Sequence, residues 1–136
     1  MVILDTNTIS HLRDRRRWTE EFARWESRSD LSETYISTIS GFEIQYGINR
    51  VLPNDPHFAG KLQDWFDNSI RAQFRERLIP VGSEICLVAA KLAQLPSRDL
   101  PDLLIAATAL VHDLTVVTRN VKHFVDTGVR IVNPWQ

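Results

Sequence analysis

A single cysteine, Cys86, occurs among the 136 residues. One thiol can neither close an internal disulfide nor build a cysteine metal site. Lying between Ile85 and Leu87 in an apolar helical pattern, Cys86 reads as a small buried hydrophobe, which suits a reducing cytoplasm. Net charge is scarce too: 16 Lys and Arg against 17 Asp and Glu leave a formal charge of −1. The chain as a whole is therefore no cationic nucleic-acid binder, and a function directed at phosphate must come from local patches or a metal ion. Long apolar runs are missing. The longest, Leu103 to Val111, falls far short of the ~20 residues that span a bilayer, and no basic leader precedes the first apolar segment. Repeats, low-complexity segments and linker-like stretches are also lacking. The expectation is one soluble domain over residues 1–136, with no membrane contact.

What is present is an ordinary globular composition, 43% hydrophobic and 24% charged, patterned in alternating periods. Val2-Ile3-Leu4 is a short apolar run of the kind that fills a buried parallel strand. Ile9 and Leu12 then start a short helix that ends in the basic run Arg13 to Arg17. Trp18, Phe22 and Trp25 share one helical face. Tyr35 to Ile39 contains a second strand, followed by a helix with Ile39, Phe42 and Tyr46 along one stripe. The break Pro53-Asn54-Asp55-Pro56 precedes a long amphipathic helix from Phe58 to Phe74. Leu78 to Val81 reads as a third strand, at an edge because of Pro80. Ile85, Val88, Ala89 and Leu92 mark another helix, Pro96 to Pro101 a loop, and Leu103 to Val111 a helix apolar nearly all round. Leu114 to Thr118 and Val129 to Val132 supply the last two strands. Strands alternating with helices predict an α/β fold: a parallel, doubly wound sheet of about five strands flanked by helices.

Three acids stand out. Asp5 ends the first strand, and sites in open α/β sheets form just beyond the carboxyl ends of strands; capping the next helix is the alternative. Glu43 lies near an inward-facing stripe, although Ser40-Gly41-Phe42-Glu43 also fits a capping box. Asp102 follows Pro101 in the first turn of a helix, where the dipole favours a carboxylate. It nevertheless shares a face with Ile105, Ala106 and Ala109, and a charge near a core is costly unless paired or metal-bound. Asp5 and Asn120 each follow an apolar strand, so both should emerge at the sheet's carboxyl edge. Carboxylates converging there repel one another. Their natural partner is Mg²⁺ or Mn²⁺, which takes one or two carboxylates and keeps several waters. The four histidines, His11, His57, His112 and His123, show no metal-type spacing and read as surface or helix-end residues.

The segments ILDTNTIS, ISTISGFEIQYGI, LPDLLIAATALVHDLTVVTRN and VRIVNPW resemble, in order and spacing, the PIN-domain ribonucleases. The likeness is nearest to the VapC-type toxins of type II toxin–antitoxin pairs, including the FitB-like branch, and it covers nearly the whole chain. This resemblance implies a single PIN domain with Asp5, Glu43 and Asp102 as its acidic constellation. Asp5 and Asp102 would be direct Mg²⁺ ligands, and Glu43 would bind directly or through water. Many relatives carry a further acid after the VTRN block, where this chain has His123. Asn120 could supply an amide oxygen there, Thr118 or Asn7 could orient carboxylates or water, and Asp126 lies further on. The implied partners are an RNA substrate, a cognate antitoxin whose tail wraps an apolar groove, a second copy in a homodimer, and operator DNA only through the antitoxin.

The chemistry expected is hydrolysis of RNA phosphodiesters by metal-activated water. Arg13 to Arg17 and Arg119 could flank the cleft and hold phosphates, with Trp18 or Trp25 stacking bases, or the basic run could be a solvated or antitoxin-binding face. Phe58, Trp65, Phe66 and the Trp18/Phe22/Trp25 stripe are candidates for groove, dimer contact or plain core. The rival from another class is a catalytically idle PIN-like module that acts with its antitoxin on operator DNA. A haloacid-dehalogenase-type phosphatase also begins with an apolar strand ending in aspartate, but it needs a second aspartate where this chain has Asn7.

Overall fold

The computed structural model describes residues 1–96 and 98–136. Five strands form one parallel sheet in the order β3-β2-β1-β4-β5: β1 Val2–Leu4, β2 Thr34–Ser37, β3 Leu78–Ile79, β4 Thr115–Val117 and β5 Arg130–Val132. Six α-helices flank them among the described residues: α1 Thr6–His11, α2 Glu20–Arg28, α3 Thr38–Val51, α4 Pro56–Trp65, α5 Ser83–Leu92 and α6 Leu100–His112. β1 is central, pairing Val2 with Thr34 on one side and with Thr115 on the other. The strand order grows first toward β3 and then restarts beside β1 with β4, which is the doubly wound arrangement expected from the sequence.

Alternation along the strands divides the core into two layers. Leu4 and Val117 face one side with Ile36, Ile44 and Ile48, while Ile3 and Val116 face the other with Ile105, Ala106 and Ala109. The alanines of α6 are at most 1% exposed, because a helix with such small side chains lies close against the sheet.

Several boundaries differ from the sequence expectation. α1 ends at His11, and Arg15–Arg17 form a separate 3-10 turn capped by Asp14. The long helix predicted to Phe74 is α4 continued by a π-helical stretch, Phe66–Arg71, with Phe66, Ile70 and Phe74 on the buried side. The predicted loop 96–101 is shorter than expected, since α6 starts at Leu100 with Asp99 as its cap residue; Ser97 lies outside the described residues. Cys86 is exposed, not buried. α5 packs through Ile85 and Ala89, with Val88 and Leu92 beside them, and the 100° step per residue turns Cys86 and Leu87 away from that face. No helix among the described residues is long and apolar enough to cross a membrane.

Candidate active site: an acidic cavity at the carboxyl edge of the sheet

β1 ends at Leu4, and Asp5 both continues its hydrogen bonding and starts α1. Its backbone N–H donates to Val117 O at 3.1 Å, so the residue is fixed where β1 and β4 run side by side. Its side chain caps α1: Oδ1 accepts from Thr8 N at 2.9 Å and from Thr8 Oγ1 at 2.6 Å. The other oxygen, Oδ2, accepts from Thr118 Oγ1 at 2.6 Å. Asp5 is therefore the cap of α1 and at the same time lies at the sheet's carboxyl edge, as both readings of the sequence require. It is 3% exposed, and its burial is tolerated because three donors satisfy it.

α3 begins at Thr38, directly after β2, with Ser37 as its cap accepting from Ile39 N. The capping box expected at Ser40 does not form, because that residue already lies inside the helix. Ser40 is fully buried and shares a 2.9 Å hydroxyl–hydroxyl bond with Thr6. Thr6 in turn donates to Glu43 Oε1, so the first turn of α1 holds a carboxylate supplied by α3.

Asp102 sits in the first turn of α6, with its side chain 20% exposed. Burial raises its carboxyl above the usual value, His123 opposes that rise, and the charges of Asp5 and Asp99 add to it. A buried carboxyl repelled by its acidic neighbours is the electrostatic signature of a place that favours added positive charge.

One cavity of about 440 Å³ collects these groups. Its walls include Asp5, Thr6, Glu43, Asp102, Asn120 and His123. All four of the proposed site residues thus face a common space, brought there by the ends of β1, β4, α3 and α6. Asn120 is held by its own N–H, which donates to Thr118 Oγ1 at 2.9 Å. One further lining residue went unseen in the sequence. Asp99, the α6 cap residue, also lines the cavity, and its side chain makes no capping bond; its place three residues before Asp102, at a helix start, was the available signal. His123, which stands where many relatives carry an acid, ends a 3-10 turn with its side chain 34% exposed, and its Nδ1 lies 2.9 Å from Asp102 Oδ2.

The donors are hard oxygens, which suits Mg²⁺ or Mn²⁺. Among the described residues, no three His, Cys, Asp or Glu side chains close around one point as metal ligands. A cation here would have inner contacts to one or two carboxylates and keep water elsewhere, the normal habit of Mg²⁺.

The predicted arginine flank is absent from this cavity. Arg13 and Arg15 line a separate cavity of about 340 Å³ with Trp18, Trp25 and Trp65, because the 3-10 turn after α1 carries them away from the sheet's edge. Arg119 lies over the Trp135 ring. Asp126 is not among the lining residues and pairs with Arg98 at 3.3 Å. Phe22 is fully buried, packed edge-on to His11 and close to Trp135, so it is core. Phe66 is also core, while Phe58 is 37% exposed.

The PIN-domain family model matches residues 2–129. The chain is 30% identical over 140 residues to Toxin FitB of Neisseria gonorrhoeae, with 99% of each sequence covered. It is also 30% identical over 149 residues to VapC ribonuclease Y4jK of Sinorhizobium fredii, with 100% of this chain and 99% of the relative covered. The structure of FitAB bound to the IR36 DNA fragment superimposes with a TM-score of 0.84 at 29% identity, covering 100% of this chain and 96% of that one.

Proposed function

The chain belongs to the PIN-domain family as a FitB-like member of its VapC group, and from that premise we propose that it is a metal-dependent endoribonuclease toxin. Residues 1–136 are taken as one PIN domain. The observation that carries this reading is the acidic cavity at the β1/β4 edge, where Asp102 is held above its usual carboxyl range by burial and by its acidic neighbours.

In this reading Asp5 and Asp102 hold Mg²⁺ or Mn²⁺, and Glu43 contacts it directly or through water. The ion, when bound, supplies a Lewis acid for phosphoryl oxygens and a water of lowered pKa. The remaining work falls to the chain. Thr8 and Thr118 fix the Asp5 carboxylate from both sides, so no reorganisation is needed when charge develops in the transition state. Thr6, braced by Ser40, holds one oxygen of Glu43 and leaves the other to accept the proton of the attacking water. Asn120 offers an amide to the scissile phosphate or to the water that attacks it. RNA is the substrate class, in keeping with the Y4jK relative being a ribonuclease by name.

The proposed partners are a cognate antitoxin, a second copy in a homodimer, and operator DNA through the antitoxin, in keeping with the DNA-bound FitAB structure. The place of action is the cytoplasm. A second reading, an idle module that acts only with its antitoxin on DNA, draws on the His123 contact, which already occupies one oxygen of Asp102.

The deciding experiment is cleavage of mixed structured and single-stranded RNAs by the antitoxin-free chain, with and without Mg²⁺, beside Asp5→Asn and Asp102→Asn. Mg²⁺-dependent cutting that both variants lose is the expected result. Cutting that survives both substitutions would refute the site, and no cutting together with no Mg²⁺ binding would favour the idle module.

A further inference from the structure

Arg98 is a buried charge outside the acidic cavity. Its side chain is only 8% exposed, although arginine is among the residues least often buried unless paired. Two of its three nitrogens are engaged: Nη1 donates to Pro96 O at 2.6 Å, and Nη2 donates to Asp126 Oδ2 at 3.3 Å. Nε is buried and has no partner among the described residues. A buried donor left unpaired is destabilising, so the two end contacts fix the guanidinium here at the expense of Nε.

Those contacts join the two walls of the cavity from outside it, since neither Arg98 nor Asp126 is among the lining residues. Arg98 directly precedes Asp99, the cap residue of α6, whose first turn carries Asp102. Asp126 belongs to the connection from β4 to β5, whose earlier part carries Asn120 and His123 into the cavity. Between them Phe124 is fully buried in one cluster with Ile105, Ala106 and Ala109 of α6. Thr127 Oγ1 closes a tight turn onto Phe124 O at 2.6 Å. The connection is therefore moored to α6 by an aromatic ring inside and by a guanidinium 28 positions away in the chain. The Asp126 side chain is 62% exposed, and an ion pair with one exposed partner adds little to global stability. What it fixes is the place of one segment against another.

We propose that Arg98 is a positioning residue: by gripping Asp126 it holds the wall that bears Asn120 and His123 against the start of α6, and it thereby strengthens the cavity's hold on a divalent cation. The proposal rests on the metal-dependent reading above and adds to it a pair of residues outside the cavity on which the ion's affinity depends. Charge alone predicts the opposite for Arg98, because a cation near an acidic cavity repels a second one.

The test is Mn²⁺ binding by the full-length, antitoxin-free chain, followed by calorimetry and by loss of the free-ion paramagnetic signal, well below the melting point of each variant. Arg98→Gln, Asp126→Asn and the double variant should each bind roughly threefold to tenfold more weakly than wild type, a smaller loss than removal of a group bonded directly to a metal ligand. The double variant should be no weaker than Arg98→Gln, since two halves of one contact are not additive. Asp126→Glu, which keeps the carboxylate, should bind Mn²⁺ like the wild type. If charge alone were at work, Arg98→Gln would bind more tightly, Asp126→Asn more weakly, and the double variant like wild type. That pattern, or unchanged affinity in Arg98→Gln, would overturn the proposal and leave the metal-dependent reading intact. Should Arg98→Gln fail to fold, Asp126→Asn and Asp126→Glu at the exposed end decide, and equal affinity in the two would overturn it. No Mn²⁺ binding by the wild type would overturn both.

Discussion

Replacing Asp5 by asparagine separates its structural role from its chemical one. The side chain has two jobs on two oxygens: Oδ1 caps α1 through Thr8, and Oδ2 accepts the Thr118 hydroxyl. Asparagine caps a helix about as well as aspartate, and its carbonyl oxygen can keep the Thr8 contacts. The other end changes from acceptor to NH₂, so the charge-assisted bond to Thr118, of a kind worth about 1.5–3 kcal/mol, is lost. Part of that loss is offset, because Asp102 no longer faces the Asp5 charge and only that of Asp99 remains. The expected net cost is about 1–2 kcal/mol, which lowers the melting temperature by roughly 3–8 °C in a domain of this size. Asp5→Ala loses the cap as well, adding about 1 kcal/mol. Cleavage should fall at least about 100-fold in both variants, the order seen when one preorganised charge-stabilising group is removed. Circular-dichroism melts and urea titrations beside RNA-cleavage rates make the comparison. An asparagine variant as unstable as the alanine one would refute the two-job account. A variant more stable than wild type would show that relief of repulsion outweighs the Thr118 bond.

Asp102→Asn should stabilise the metal-free chain at neutral pH. The folded-state carboxyl is raised, so the native state holds more protons than the unfolded one and stability drops as pH rises through that window; melts at about pH 4 and 7 should differ less in the variant. His11 is lowered from 6.5, first by burial and then by Arg119 and Arg17. Its contribution is complete above that value and is lost as pH falls below it, a loss that His11→Gln should remove in urea midpoints taken from about pH 7.5 to 5.5. Phe22→Ala should cost about 3–5 kcal/mol, the usual range for emptying a fully buried aromatic site, measured as a shift of the urea midpoint without change in slope.

The parts of this molecule legible in the sequence are those where one local rule decides. The run Val2-Ile3-Leu4 before Asp5 and the apolar stretch from Leu103 could only be buried elements, and both placed their acids at the sheet's carboxyl edge. The β2–α3 junction was harder. Ser37, Thr38 and Ser40 are all cap-type residues, and the choice of Ser37 depends on Ser40 being drawn inside to meet Thr6, 34 residues away. Cys86 was misjudged because composition says what a residue prefers, while helix phase says where it points. Asp99 and the His123–Asp102 contact are the converse case: a helix start marks Asp99 and the VTRN block marks His123, but only the folded chain brings the His123 imidazole to Asp102. Nearness in sequence to Asp5 leaves the arginine run open between a cleft flank and a solvated or antitoxin-binding face, and one 3-10 turn is enough to carry it away from the cavity.

The bond between Asp5 and Thr118 spans 113 positions of the chain. During synthesis Asp5 leaves the ribosome first, but β1 has only β2 beside it until β4 emerges, and the Asp5 carboxylate has no Thr118 to hold it until then. Asn120 and His123 follow within a few residues. A chain that stops just before β4 therefore carries all three acids, Asp5, Glu43 and Asp102, but lacks Thr118, Asn120 and His123 and has no assembled cavity. A cell making this protein is exposed to the finished site only when the final stretch of chain has docked beside β1. That interval is time in which a partner can already be waiting.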